Sequence, residues 1–237
     1  MAGRVLKFLA AAALFPSALL ACAEAGKGFW GIFSNLSATG WFCGGFALYA
    51  ALHLALGGAG AFYVFAHELA HAAAAALCGY KVRGFSVGAR GGEVTVEGSS
   101  GFVALAPYCA PVYAAACALA YGAASLKWDM SPYRGWFCAA LGFFLSFHLL
   151  NTIEVIWKTK QSDLRQAGGA FFSAAVIIAA NSLIMLFSFK LLYPQLISLR
   201  AAGSGVAGRT AVFWQRTGNL AARGASRIWA AAAVPRV

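Results

Sequence analysis

The residues best equipped for chemistry lie in one short stretch, Phe65-Ala66-His67-Glu68-Leu69-Ala70-His71. Two histidines four positions apart fall on one face of a helix, so both imidazoles can reach a single metal ion. Glu68, beside the first histidine, then stands next to a metal-bound water and can take its proton. The neighbours are almost all apolar, which places the motif in a helix suited to lipid. Two imidazoles and a carboxylate at that depth are costly unless they are paired, hold a metal or face a cavity. The pattern therefore points to a zinc site with one Zn²⁺ per chain, and catalytic zinc requires a third protein ligand and an open position.

The elements that must position this motif are apolar to an unusual degree. Of 237 residues, 61% are hydrophobic and 11% charged, against about 25% charged in an average soluble domain. That deficit excludes a disordered chain, a coiled coil and an ordinary soluble enzyme. Five long apolar segments, near 40–57, 59–79, 101–123, 135–157 and 169–193, read as membrane helices. A shorter run from Phe8 to Leu20 follows Arg4 and Lys7, so residues 1–23 read as a signal peptide or a first transmembrane helix. The expected fold is an all-α polytopic membrane protein of about six transmembrane helices. Residues 81–98 interrupt the helices. Phe85, Val87, Val94 and Val96 alternate with small or polar residues, and Gly91-Gly92 sits between the two halves, which predicts a β-hairpin between the zinc-motif helix and the next helix. Residues 24–195 then form one domain, and 196–237 are a basic tail with six arginines and no acid. That tail reads as an amphipathic helix on the membrane surface or as a disordered segment. The net charge of +11 fits lipid head groups better than nucleic acid. The six cysteines form no CxxC pair and read as small buried hydrophobes.

The third ligand must come from Glu24, Glu93, Glu97, Asp129, Glu154, Asp163, His53 or His148. If each apolar segment crosses in turn, the 40–57 and 135–157 helices run antiparallel. Asp163 and Glu154 then share the side toward which His71 points, and Asp129 lies a membrane thickness away. Asp163 is the leading candidate and Glu154 its rival. His53 and His148 read as hydrogen-bonded packing inside the bundle. Strict alternation also puts both chain ends on the side opposite the hairpin. Arg4, Lys7 and the tail arginines make that side cytoplasmic and the hairpin external.

The sequence resembles the site-2-protease type of intramembrane zinc metallopeptidase, in its shorter bacterial branch. The resemblance spans about residues 60–170. It rests on His67-Glu68-Leu69-Ala70-His71 followed by Cys78-Gly79-Tyr80-Lys81-Val82, on the Gly-rich hairpin, on Leu105-Ala106-Pro107-Tyr108, and on Lys160-Gln161-Ser162-Asp163-Leu164. It implies zinc bound by His67, His71 and Asp163, Glu68 as general base, and a site nearer the cytoplasm. The family's commoner Asn-x-x-Pro and Leu-Asp-Gly pattern is missing here. Asn151 lies 12 positions before Asp163 with no proline between, so its substrate-clamping role departs from the family pattern.

The expected activity is zinc-dependent endoproteolysis in or near transmembrane segments of membrane-protein or peptide substrates, in the bacterial inner membrane. Asn151, Gly91 and Gly92 are the candidate substrate-binding residues, because an unwound strand can add to a hairpin edge. The alternative is a non-proteolytic metal-binding membrane protein, a scaffold or transporter.

Overall fold

The computed structural model of the chain describes residues 2–57, 60–88, 91–158 and 161–232. Arg90, Lys160 and Arg236 lie outside them. The described residues form nine α-helices and one hairpin: α1 (Ala2–Phe33), α2 (Leu36–Leu56), α3 (Gly60–Leu77), β1 (Val82–Gly88), β2 (Gly91–Val96), α4 (Gly101–Cys109), α5 (Val112–Ser125), α6 (Arg134–Lys158), α7 (Ser162–Ala167), α8 (Ala170–Leu192) and α9 (Leu199–Ala232). The architecture is that of an all-α polytopic membrane protein.

Among the described residues, four helices are long and apolar enough to span a bilayer: α1 from Val5, α2, α6 with the turn before it, and α8. A fifth span exists if α4 and α5 count together, although they meet at a 73° bend. The bend has a local cause. Pro111 has no N–H to donate, and the Val112 N–H turns to the Ala110 carbonyl at 2.9 Å, so the helical ladder stops there. The zinc-motif helix α3 is not among the spans; His67, Glu68 and His71 dilute its apolar character.

The expected direction of the helices also changes. Trp41 contacts Trp136 (ring centroids 5.0 Å apart), Tyr49 contacts Phe143 (5.0 Å), and His53 Nε2 meets Glu154 Oε2 at 3.2 Å. α2 and α6 are therefore parallel, where strict alternation predicts antiparallel. Glycines allow this close packing. A Cβ on Gly45 would collide with the Ala139 carbonyl, and one on Gly142 with the Phe42 carbonyl. Small residues that bring backbones together are the usual glue between helices in lipid. α1 and α8 are parallel as well, with Phe8 and Phe15 against Phe171 at one end and Gly28 against Phe189 at the other. Phe42, Leu145, Phe189 and Ile32 form the buried centre of the bundle.

The hairpin is antiparallel, pairing Phe85 with Val94 and Val87 with Gly92. Gly91 and Gly92 belong to β2 rather than to the turn, which corrects their expected place. Phe85 packs on Phe65 of α3. The tail is one helix of 34 residues. It folds back along α1, where Arg209 pairs with Glu24 and Thr210 contacts Ser17. All six cysteines are free thiols; Cys43 and Cys138 are buried, whereas Cys22 and Cys78 are exposed.

Candidate metal centre

α3 presents His67 and His71 side by side, with ring centroids 4.9 Å apart. α7, just beyond the end of α6, brings in Asp163. Its Oδ2 lies 3.5 Å from His67 Nε2 and 3.5 Å from His71 Nε2. The three ligand atoms all fall within 4.8 Å of one another. Ligands on a tetrahedral metal at about 2.0–2.1 Å stand about 3.3 Å apart, so this spacing fits one small metal ion. The side chains are 12%, 12% and 19% exposed.

Each ligand is held from behind. His71 Nδ1 lies 2.8 Å from the Val103 carbonyl. A carbonyl only accepts, so Nδ1 carries a proton and Nε2 is the atom turned toward Asp163. His67 Nδ1 lies 3.2 Å from the Tyr63 hydroxyl. Tyr108 sends its hydroxyl to Asp163 Oδ2 at 3.0 Å. Val103 is carried by α4, whose first turn is capped by Ser100 Oγ, which accepts from the Val103 N–H at 3.3 Å. α7 itself is tied at its C-terminal end. Lys7 Nζ donates to the Ala167 carbonyl at 2.9 Å, and the Gly169 N–H and Ser173 Oγ donate to the Leu164 carbonyl at 2.8 and 3.1 Å. Burial works against the charge on Asp163, but hydrogen bonds from His67 and His71 outweigh it and hold the carboxyl below its ordinary pKa.

The other expected residues fall as follows. Glu68 lies on α3 against the hairpin: a Cβ at Gly92 would sit 2.7 Å from Glu68 Cγ and 2.6 Å from Val64 Cγ1. Gly92 is thus the point where the hairpin touches Glu68, and Gly91 precedes it at φ +146°, open to a glycine and strained for other residues. Asn151 is buried and faces α2, donating to the Tyr49 hydroxyl and to the Phe147 carbonyl; it is not part of the metal cluster. Glu154 is engaged with His53 and Lys158 and is likewise outside the cluster. His148 is buried and bonded to Asn181 at 3.0 Å.

Sequence reasoning passed over Tyr63 and Tyr108. Tyr63 had a signal, since it precedes His67 by four positions and shares its face. Tyr108 lay in the quoted Leu105-Ala106-Pro107-Tyr108, but nothing local ties it to a carboxylate 55 residues away.

A narrow cleft bounded by Tyr63, His67, Pro111, Tyr113 and His148 reaches the cluster. Tyr113, Phe144 and Phe147 also border a cavity of about 570 Å³ lined by Leu52, Leu56 and Phe62. The Tyr113 hydroxyl donates to the Phe62 carbonyl at 2.9 Å between the two spaces.

A protein-family profile described as Peptidase M50B-like matches residues 46–131. That match supports a site-2-protease-type family. It covers α3, the hairpin and the α4–α5 pair, and it supports a membrane metallopeptidase. It ends before α6, so Asp163 is joined to the motif by geometry rather than by the match. No curated protein and no solved structure matches the chain.

Proposed function

We propose that this chain is a zinc-dependent intramembrane endopeptidase of the HExxH type, acting on transmembrane segments of membrane proteins in the bacterial inner membrane. The observation that carries the reading is the convergence of His67, His71 and Asp163 within 4.8 Å, with Glu68 next to the first ligand in a peptidase-like chain. Two imidazoles and one carboxylate match the donor set of hydrolytic zinc sites and leave one position open. Bound zinc supplies acidification of water and polarisation of the scissile carbonyl.

The protein's own groups do the rest. His71, fixed by the Val103 carbonyl, and His67, fixed by Tyr63, keep their Nε2 atoms turned inward. Glu68 accepts the proton of the attacking water and returns it to the leaving amine. The apolar cavity beside the cleft takes large side chains flanking the cut, as suits a substrate drawn from lipid. A transmembrane segment must unwind before its peptide bonds are exposed, and β1–β2 lies against Glu68, where it can pair with the unwound strand.

The test is Glu68→Gln in purified, reconstituted protein. We expect about one zinc per chain in both forms, with cleavage of a model transmembrane substrate reduced by several orders of magnitude in the variant. Zinc retained by the wild type with no cleavage of any apolar substrate would favour the non-proteolytic metal-binding reading.

A further inference from the structure

His148, Asn181 and Tyr108 occupy the interior of the bundle, on three different helices, and the chemistry above uses none of them directly. Polar groups at this depth are expensive unless satisfied, and they mark function more often than packing. Their connections lead to the metal centre.

The break at Pro111 is the starting point. In an unbroken helix the residue 112 N–H would bond to the Tyr108 carbonyl. Here the Val112 N–H goes to Ala110, so the Tyr108 carbonyl loses its helical donor. Asn181 Nδ2, from α8, replaces it at 2.8 Å, and its second N–H goes to the Ile177 carbonyl at 2.9 Å. Both carbonyls can only accept, so the amide orientation is determined and Oδ1 is left free to accept. His148 Nε2, from α6, lies 3.0 Å from that oxygen and must carry its proton there. At the other end, the Tyr108 side chain is fully buried. Its ring stands edge-on to His67, with centroids 5.3 Å apart, and its hydroxyl reaches Asp163 Oδ2 and Gln161 Oε1 at 3.0 and 3.1 Å. Tyr108 therefore touches two of the three ligands with its side chain while Asn181 and His148 hold its backbone.

We propose that His148, Asn181 and Tyr108 form a buried hydrogen-bonded chain of positioning residues that aims Asp163 at the metal. It rests on the metal centre of the reading above and adds residues on α4, α6 and α8 to it. The broken α4–α5 helix is then a functional device: the carbonyl freed at the break is the handle by which α8 and α6 hold Tyr108 in place. Outer partners of metal ligands contribute about 10–100-fold to metal affinity, and members of one network give non-additive losses when removed together.

The experiment measures zinc affinity by chelator competition in the full chain, together with the visible absorption of the cobalt-substituted protein. Tyr108→Phe removes only the hydroxyl, and we expect affinity to fall by about 10–100-fold with a shifted cobalt spectrum and an unchanged melting temperature of the metal-free protein. Asn181→Leu should fall in the same range, and the double variant should be no worse than the weaker single one. His148→Leu should weaken zinc binding, whereas His148→Gln, which keeps a donor for Asn181 Oδ1, should restore it. Wild-type affinity and spectrum in Tyr108→Phe overturn the chain, as do strictly additive losses in the double variant. A wild type that binds no divalent metal instead removes the metal centre itself, and the positioning role with it.

Discussion

Replacing Gly92 by alanine tests how closely the hairpin governs Glu68. The added methyl would lie 2.6 Å from Val64 Cγ1, 2.7 Å from Glu68 Cγ and 3.1 Å from the Ser86 carbonyl oxygen. Ordinary carbon contacts begin about 3.5 Å apart, so the hairpin and α3 must separate by close to 1 Å, or Glu68 must swing aside. Overpacking of this kind costs about 1–3 kcal/mol. A 1 Å displacement of a catalytic group can cost about 100-fold in rate. His67, His71 and Asp163 lie off this contact, so metal binding should persist. The assay compares zinc content and cleavage of a transmembrane substrate in Gly92→Ala and Gly84→Ala. Gly84 is the matched control, because a methyl there meets only Thr95 at 3.6–3.7 Å. We expect full zinc in both variants, near-normal cleavage in Gly84→Ala, and a loss of about 100-fold in Gly92→Ala. Equal activity in the two would refute the idea that the hairpin sets the position of Glu68. Loss of zinc in Gly92→Ala would show that the contact supports the ligands instead.

Asp163→Ala should lower zinc occupancy sharply, whereas Glu154→Ala, which disturbs only His53 and Lys158, should leave it intact; metal analysis of the purified variants decides between the two carboxylates. Gly45→Ala should destabilise the bundle by about 3 kcal/mol, because its methyl meets the Ala139 backbone, and the melting temperature in detergent would reveal a neutral substitution.

The metal motif and the hairpin were legible in the chain because their signals are local. A four-residue repeat of histidines and a two-residue alternation around Phe85 and Val94 need no knowledge of distant partners. Asp163 was legible only in part, through its place after the fourth long segment, and the choice against Glu154 came from geometry. Three things were not legible. The segment 101–123 reads as one span, and only the contacts around Pro111 reveal two helices at a steep angle. The parallel course of α2 and α6 is sealed by close contacts at Gly45 and Gly142, and a glycine in an apolar run does not state which helix it will meet or in which direction. Tyr108 reaches Asp163 across 55 residues, a pairing that periodicity cannot express.

The parallel pairing of α2 with α6 changes the parity of the segments between them. To start α6 at the end of the bundle where α2 began, α3, the hairpin and the α4–α5 pair must together make one net passage, where strict alternation gives two. Lys7 at the start of α1 meets Ala167 beside the Asp163 helix, whereas the end of α8 meets Arg134 at the start of α6. The start of α1, with Lys7, therefore shares one end of the bundle with the Asp163 helix and the metal cluster. If that end faces the cytoplasm, the positive-inside rule and the cytoplasm-facing site implied by the family agree, where strict alternation sets them against each other.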